Sequence, residues 1–250
     1  MRYQVRAMSV GEILGGSFRL LVEHAALLVP IAALVYLPLA AIPSLLMDDP
    51  TVVGFEAALA IWLATSLAAP VVSGAITFAV GEAQRSRPVT VAAALQLGLS
   101  LLPRLAGTWL LGSLAILAGF VLLVLPGIYL ALAFMVATQV IVFEGIGGTL
   151  ALARSRALMR GNLGRGLLIA VVALVVTTLL TSVAELLFHD AGALRALGLG
   201  LAQAIGMAWF SAVLVLLYGD VRARHESPEA QPATSAGERA TGAPTVASPV

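Results

Sequence analysis

The chain has 250 residues, of which 60% are hydrophobic and 11% are charged, and its formal net charge is +1. Because a soluble domain carries about 25% charged residues, this composition excludes an ordinary soluble globule and indicates that apolar side chains face lipid. The absence of cysteine excludes disulfides and thiolate metal sites.

Six apolar segments are long enough to cross a bilayer, which requires about 20 residues in a helix. In chain order they cover residues 25–47, 55–80, 105–125, 128–143, 167–188 and 197–217. The first segment is too long for the apolar core of a signal peptide and ends at Asp48-Asp49, so we interpret it as a retained span.

The third and fourth spans come from one stretch, 105–143, that contains no charged residue. As a single helix it would be about 58 Å long, nearly twice the bilayer core of about 30 Å. Pro126-Gly127 interrupts it. Proline lacks a backbone N–H, and glycine adopts left-handed angles without steric penalty. We therefore predict a tight reversal at Pro126-Gly127 and a hairpin of two helices; the alternative is one kinked, tilted helix.

The arginine distribution agrees with six spans. All 14 basic residues are arginine, and 13 of them fall on one side of a six-span chain, leaving only Arg195 on the other. The positive-inside rule makes the arginine-rich side cytoplasmic. Arginine without lysine, in an Ala-, Gly-, Leu- and Val-rich chain, is typical of a GC-rich bacterial genome. We expect a multi-pass protein of the bacterial inner (plasma) membrane with both termini in the cytoplasm.

A short amphipathic stretch precedes each pair of spans, beginning at Ser9, Thr90 and Gly147. Aligned on one another, the three stretches share leucine, small residues and apolar pairs at one helical face. The shared positions are Leu14, Leu95 and Leu152; Ser17, Gly98 and Ser155; and Leu20-Leu21, Leu101-Leu102 and Leu158-Met159.

This alignment predicts an all-α, integral membrane bundle of six transmembrane helices in three hairpins, each preceded by a cytoplasmic interfacial amphipathic helix. The transmembrane domain would cover residues 1–224, with pseudo-repeats at about 9–82, 89–145 and 147–222. Residues 225–250 are rich in Pro, Ala, Ser, Thr and Glu, a composition that predicts a disordered cytoplasmic tail.

The arginines of the third amphipathic stretch favour anionic lipid as the binding partner. Arg154, Arg156, Arg160 and Arg165 lie on or beside the third amphipathic stretch, and each basic residue near an anionic surface contributes about 1 kcal/mol. We predict the lipid bilayer, with anionic lipids, as the partner. A docking face for a membrane protein or a phosphorylated ligand, or a homo-oligomer, is the alternative. No nucleic-acid partner is predicted.

Acidic and amide side chains near the spans call for partners. Glu144 ends the fourth span, where a helix C-terminus disfavours negative charge, so we expect an ion pair with Arg154, Arg160 or Arg222. Asp220 is expected to pair with Arg222 or Arg224. Gln139 and Gln203 lie within spans, and because an amide in hydrocarbon needs a hydrogen-bond partner, both are predicted to face the bundle interior.

Several motifs resemble those of the membrane domain found beside glycerophosphoryl diester phosphodiesterases. They are Pro126-Gly127-Ile128-Tyr129, Glu144-Gly145, Arg160-Gly161-Asn162, an opening element at 11–24 and a closing element at 217–226. The resemblance covers nearly all of residues 9–226. It implies a stand-alone membrane domain of this family without the catalytic domain, and Asn162 and the motif arginines as structural or lipid-facing residues.

No catalytic constellation is present in the sequence. His24, His189 and His225 are far apart and in no metal-binding spacing, and no nucleophile elbow occurs. We therefore predict no catalytic residues, no cofactor and no metal. The expected function is a non-catalytic integral membrane protein that organises lipids or partner proteins at the cytoplasmic leaflet. The alternative is a small-molecule or lipid transporter or channel.

Overall fold

A computed structural model describes residues 7–46, 54–189 and 193–226, and within these ranges the chain forms ten helices and no strand. In chain order they are α1 (Val10–Glu23), α2 (Ala25–Leu46), α3 (Phe55–Gln84), α4 (Val91–Ser100), α5 (Leu102–Leu122), α6 (Val124–Ala133), α7 (Ala137–Glu144), α8 (Gly148–Met159), α9 (Leu163–Phe188) and α10 (Ala193–Glu226).

Six stretches of helix are long and apolar enough to cross a membrane. They are α2, α3, α5, the α6–α7 pair over Val124–Glu144, α9 and α10. The prediction of an all-α protein with six spans is confirmed, and it supports a multi-pass membrane protein. Helix α10 runs to Glu226, so His225 and Glu226 belong to a helix and not to the predicted tail; residues 227–250 lie outside the described part of the chain.

The break between α5 and α6 lies at Leu123, three residues before the reversal predicted at Pro126-Gly127. Leu123 is extended, with φ −167° and ψ 150°, and separates the two helices, whereas Pro126 and Gly127 lie in the first turn of α6. A proline fits there because the first N–H groups of a helix have no intrahelical partner. Gly127 allows close packing instead: a Cβ added to it would lie 2.5 Å from Cγ of Phe120.

Side-chain caps define where the short helices begin. The Ser9 hydroxyl accepts from the Glu12 N–H at 3.2 Å, and the Glu12 carboxylate accepts from the Ser9 N–H at 2.7 Å, which is a capping box. Thr90 caps α4 by accepting from the Ala93 N–H at 3.2 Å. Gly145 ends α7 in the left-handed region, with φ 72°. Helices α1, α4 and α8, which we call the arms, end at Glu23, Ser100 and Met159, before the spans that follow them.

Helices α3, α7 and α10 touch one another and form the centre of the bundle. Most residues of α3 from Pro70 to Gly81 are buried, as are most of α10 from 204 to 223. The consecutive pairs α2–α3, α5–α6 and α9–α10 are each in contact, but the most extensive contact joins α2 to α10. That each pair is a transmembrane hairpin stays a prediction.

The arms pack on the central helices and on α5 through the same helical face. An added Cβ at Gly16 of α1 would meet Leu216 of α10 at 3.1 Å, and one at Gly98 of α4 would meet the Val71 carbonyl of α3 at 2.8 Å. The aligned positions Ile13, Ala94 and Ala151 are buried, as are Ser17, Gly98 and Ser155 four residues later. The three arms thus bury the same aligned positions, and the pseudo-repeats stay a prediction.

The bundle has two distinct ends. The arginine-rich end carries the C-termini of α3, α7 and α10 and the beginnings of α5, α8 and α9. The opposite end carries the start of α3, the Leu123 turn and an ion pair between Arg195 and Glu185 at 2.6 Å. Towards the opposite end the helices expose large apolar side chains such as Phe55, Trp62 and Leu186, a pattern that favours membrane-spanning helices.

Candidate functional site

A closed polar network lies at the arginine-rich end and begins at Glu144. Arg154 Nε donates to both Glu144 oxygens, at 3.1 and 2.9 Å, so the predicted ion pair is formed with Arg154. The pair offsets the unfavourable position of a carboxylate at the C-terminus of α7. Hydrogen bonding to Glu144 raises the pKa of Arg154 above its ordinary value, so the guanidinium stays charged. The pair joins α8 to the central helix α7.

The network continues onto α10. The Tyr218 hydroxyl donates to Glu144 at 2.9 Å and accepts from Arg222 Nη1 at 3.2 Å. Arg222 Nε donates to the Glu226 carboxylate at 3.0 and 3.1 Å, and Arg154 Nη2 reaches the same carboxylate at 3.3 Å. The Tyr218 ring, which is 1% exposed, stacks on Phe143 with centroids 5.3 Å apart.

Asp220 forms a second cluster and is fully buried. Its carboxylate accepts from Arg165 Nη1 at 2.7 Å, from Arg224 Nε at 3.0 Å and from the Met8 N–H at 2.6 Å. The Met8 carbonyl in turn accepts from Arg165 and Arg224. The predicted partner Arg224 is correct, whereas Arg222 bonds to Glu226 and Tyr218 instead. The cluster joins the start of α9, the end of α10 and the segment before α1.

Arg156, Arg160 and Asn162 lie around the connection between α8 and α9. Arg156 Nε donates to the Tyr129 hydroxyl at 3.1 Å, and its guanidinium carbon is 5.9 Å from the centre of that ring. Arg160 is exposed. Gly161 has φ 80°, a conformation that favours glycine, so the Arg160-Gly161-Asn162 motif forms the turn. Asn162 precedes α9 but makes no side-chain cap.

Four exposed arginines have no acidic partner among the described residues. By contrast, Glu82 holds both Arg85 and Arg87, at 2.8 and 3.4 Å. Because no carboxylate offsets these four, they leave an excess of positive charge on the surface. They are Arg19, Arg104, Arg156 and Arg160.

The two amides predicted to be buried behave differently. Gln139 is fully buried and its Nε2 donates to the Thr77 hydroxyl at 3.3 Å. Gln203 is exposed, so its prediction as a buried residue is wrong. On α10, Gly200 faces α2, where an added Cβ would meet Leu37, and Gly206 faces Thr177 of α9. Gln203 falls between these two packed faces.

No group of three metal-ligating side chains occurs within residues 7–46, 54–189 and 193–226. The cleft between α3, α5, α7 and α8, about 150 Å³ in volume, is mostly apolar, and neither Gln139 nor Gln203 lines it. The Thr108 hydroxyl in that cleft is already engaged by the Gly148 N–H and the Arg104 carbonyl, each at 2.7 Å.

Comparison with family models, with curated proteins and with solved structures finds no match for this chain. The resemblance to the membrane domain of glycerophosphoryl diester phosphodiesterases therefore stays a prediction, carried by the motifs alone.

Proposed function

We propose that the chain is a non-catalytic, multi-pass protein of a bacterial inner membrane that binds and organises anionic lipids at the cytoplasmic leaflet. In this proposal the arginine-rich end and both termini lie on the cytoplasmic side. The observation that carries it is the set of four exposed, acid-free arginines, Arg19, Arg104, Arg156 and Arg160, beside the exposed apolar side chains of the arms.

The arms combine the two kinds of contact that a lipid surface requires. Phe18 of α1 is 61% exposed, Leu99 of α4 is 59% exposed and Leu150 of α8 is 68% exposed. Exposed Arg19 adjoins Phe18, and Arg156 lies on the same arm as Leu150. Apolar side chains inserted among acyl chains, with arginines at head-group level, favour an interfacial position. Each of the four arginines would contribute about 1 kcal/mol at an anionic surface.

The family resemblance supports the same reading, because it implies a membrane domain and assigns no reaction to it. The paired arginines are suited to a structural role, since Arg154, Arg165, Arg222 and Arg224 are each held by a carboxylate within the bundle. The proposal thus separates a structural set of arginines from a lipid-binding set.

The test is to purify the protein from its membrane with co-purifying lipids and to quantify them by mass spectrometry. The variant R19Q/R104Q/R156Q/R160Q should retain several-fold less anionic lipid than the unmodified chain. The control R85Q/R87Q removes two arginines of the same end that share the Glu82 carboxylate, and it should retain clearly more anionic lipid than the fourfold variant. Equal lipid retention by both variants would contradict the proposal.

Transport is the second candidate function, and one observation favours it. Polar atoms of the central helices are buried without a partner among the described residues: Gln139 Oε1, Ser73 Oγ and Ser211 Oγ. Buried polar groups within a membrane mark solute or ion paths in many proteins. If they form a path, solute flux into proteoliposomes should fall in a Gln139→Leu variant, whereas a scaffold would show no flux with either chain.

A further inference from the structure

The half of α9 near the opposite end carries polar side chains. The threonines there form hydrogen bonds to backbone carbonyls of their own helix. The Thr177 hydroxyl donates to the Ala173 carbonyl at 2.7 Å, and the Thr181 hydroxyl donates to the Thr177 carbonyl at 3.0 Å. A threonine that bonds to its own helix can face lipid without leaving an unpaired donor.

Gln203 on α10 has no such hydrogen bond to its own helix. Its side chain is exposed and makes no hydrogen bond within the described residues. The amide is eight residues from Arg195, or about 12 Å along the helix, and Arg195 with Glu185 marks the polar boundary at the opposite end. In a membrane, Gln203 therefore lies within the hydrocarbon, where two donors and an acceptor require a partner.

An open groove lies between α9 and α10, one helical turn from Gln203. Thr181, Ser182, Glu185 and His189 of α9 line it, together with Leu199 of α10. Gln203 follows Leu199 by four residues and so lies on the same side of α10. The contact between Gly206 and Thr177 places Gln203 at about the level of Thr181, because the two helices are antiparallel.

We propose that a second copy of this chain packs on this α9–α10 face, with the Gln203 amides of the two copies hydrogen-bonded to each other. A carboxamide both donates and accepts, so two of them related by a twofold axis satisfy one another. Polar side chains join membrane helices in this way. The groove also presents hydroxyl groups, and its Glu185 carboxylate is already paired with Arg195, so two copies would not bring unpaired carboxylates together. This inference does not depend on the lipid-binding role.

Because the chain contains no cysteine, a single substitution gives a clean cross-linking test. Leu199→Cys lies one helical turn from Gln203 on the same side of α10 and keeps the amide. Oxidised in native membranes, it should form a disulfide-linked product of twice the chain mass that contains both of two co-expressed tags. The matched control is Leu201→Cys, which lies on the same helix at a similar depth and is 44% exposed. Leu201 lines a different groove, on the other side of α10. We expect at least tenfold less dimer from the control.

A second measurement does not depend on cysteine. Resonance energy transfer between differently labelled copies in liposomes should fall several-fold for Gln203→Leu and be largely retained for Gln203→Asn, while the thermal stability of the isolated monomer stays unchanged. The proposal is overturned if Leu201→Cys cross-links as well as Leu199→Cys. It is also overturned if Leu199→Cys is captured only by a different protein or by none, or if Gln203→Leu associates like the unmodified chain.

Discussion

Asp220 accepts a hydrogen bond from the backbone N–H of Met8, at 2.6 Å and across 212 positions of sequence. Because Asp220 is fully buried and also holds Arg165 and Arg224, one carboxylate fixes the segment before α1 to the last helix. This relationship supplies the first prediction.

Asp220→Asn should destabilise the fold by about 3–5 kcal/mol, because removing one partner of a buried ion pair leaves the other charge uncompensated. Thermal unfolding of the purified protein in detergent, followed by fluorescence-detected size exclusion, measures the effect. Arg224→Gln is the comparison: Arg224 is 39% exposed and Arg165 remains, so the loss should be well below that of Asp220→Asn. Equal stability of Asp220→Asn and the unmodified chain would rule out the cluster.

Glu144→Gln should destabilise the bundle by about 1–3 kcal/mol, since it weakens charge-assisted bonds from Arg154 and the bond from Tyr218. Tyr218→Phe should lower stability by about 1 kcal/mol, because it keeps the stacking on Phe143 and loses only the hydroxyl. Glu226→Gln is the control: its carboxylate is 47% exposed, and exposed pairs contribute less than about 1 kcal/mol. A Glu226→Gln loss larger than that of Glu144→Gln would contradict this order.

Gly127→Ala should destabilise the α5–α6 contact by about 1–3 kcal/mol, as overpacking does, because the new methyl group would overlap the Phe120 ring. Gly107→Ala on α5 is the matched control. A Cβ at Gly107 meets nothing within 4 Å, and alanine gains about 0.5–1 kcal/mol over glycine inside a helix. The two substitutions should therefore shift the unfolding temperature in opposite directions.

The membrane orientation can be tested with cysteines at the two ends of the bundle. In a chain that has no native thiol, Glu56→Cys at the opposite end should react with a membrane-impermeant maleimide in intact cells. Thr149→Cys at the start of α8 is exposed at the arginine-rich end and should react only after the cells are opened. The reverse pattern would invert the proposed topology.

The positions of the spans could be predicted because a stretch of about 20 apolar residues has few alternatives to a membrane helix. The Leu123 break could not, since proline and glycine suit both a reversal and the first turn of a helix. The close approach of Gly127 to Phe120 distinguishes a reversal at Pro126-Gly127 from a helix that begins before it. That approach depends on how α5 packs.

The partners of the charged groups were predictable only where the chain offers few choices. Glu144 has arginines shortly after it in sequence, so Arg154 was among the candidates. The link from Asp220 to Arg165 and Met8 depends on how α1, α9 and α10 meet, and no local pattern shows that. Gln203 was wrongly predicted because α10 is apolar around most of its circumference; its periodicity does not reveal which positions lie between two packing faces.

The extensive contact between α2 and α10 has a consequence for biosynthesis. A ribosome delivers α2 long before α10, so the first span must wait in the translocon or the lipid until nearly the whole chain is made. Such distant pairing slows assembly. A nascent chain that stops before Gly200 would leave the α2 surface around Leu37 and Ala40 without its permanent neighbour, a state that membrane proteases and insertases can recognise as unfinished.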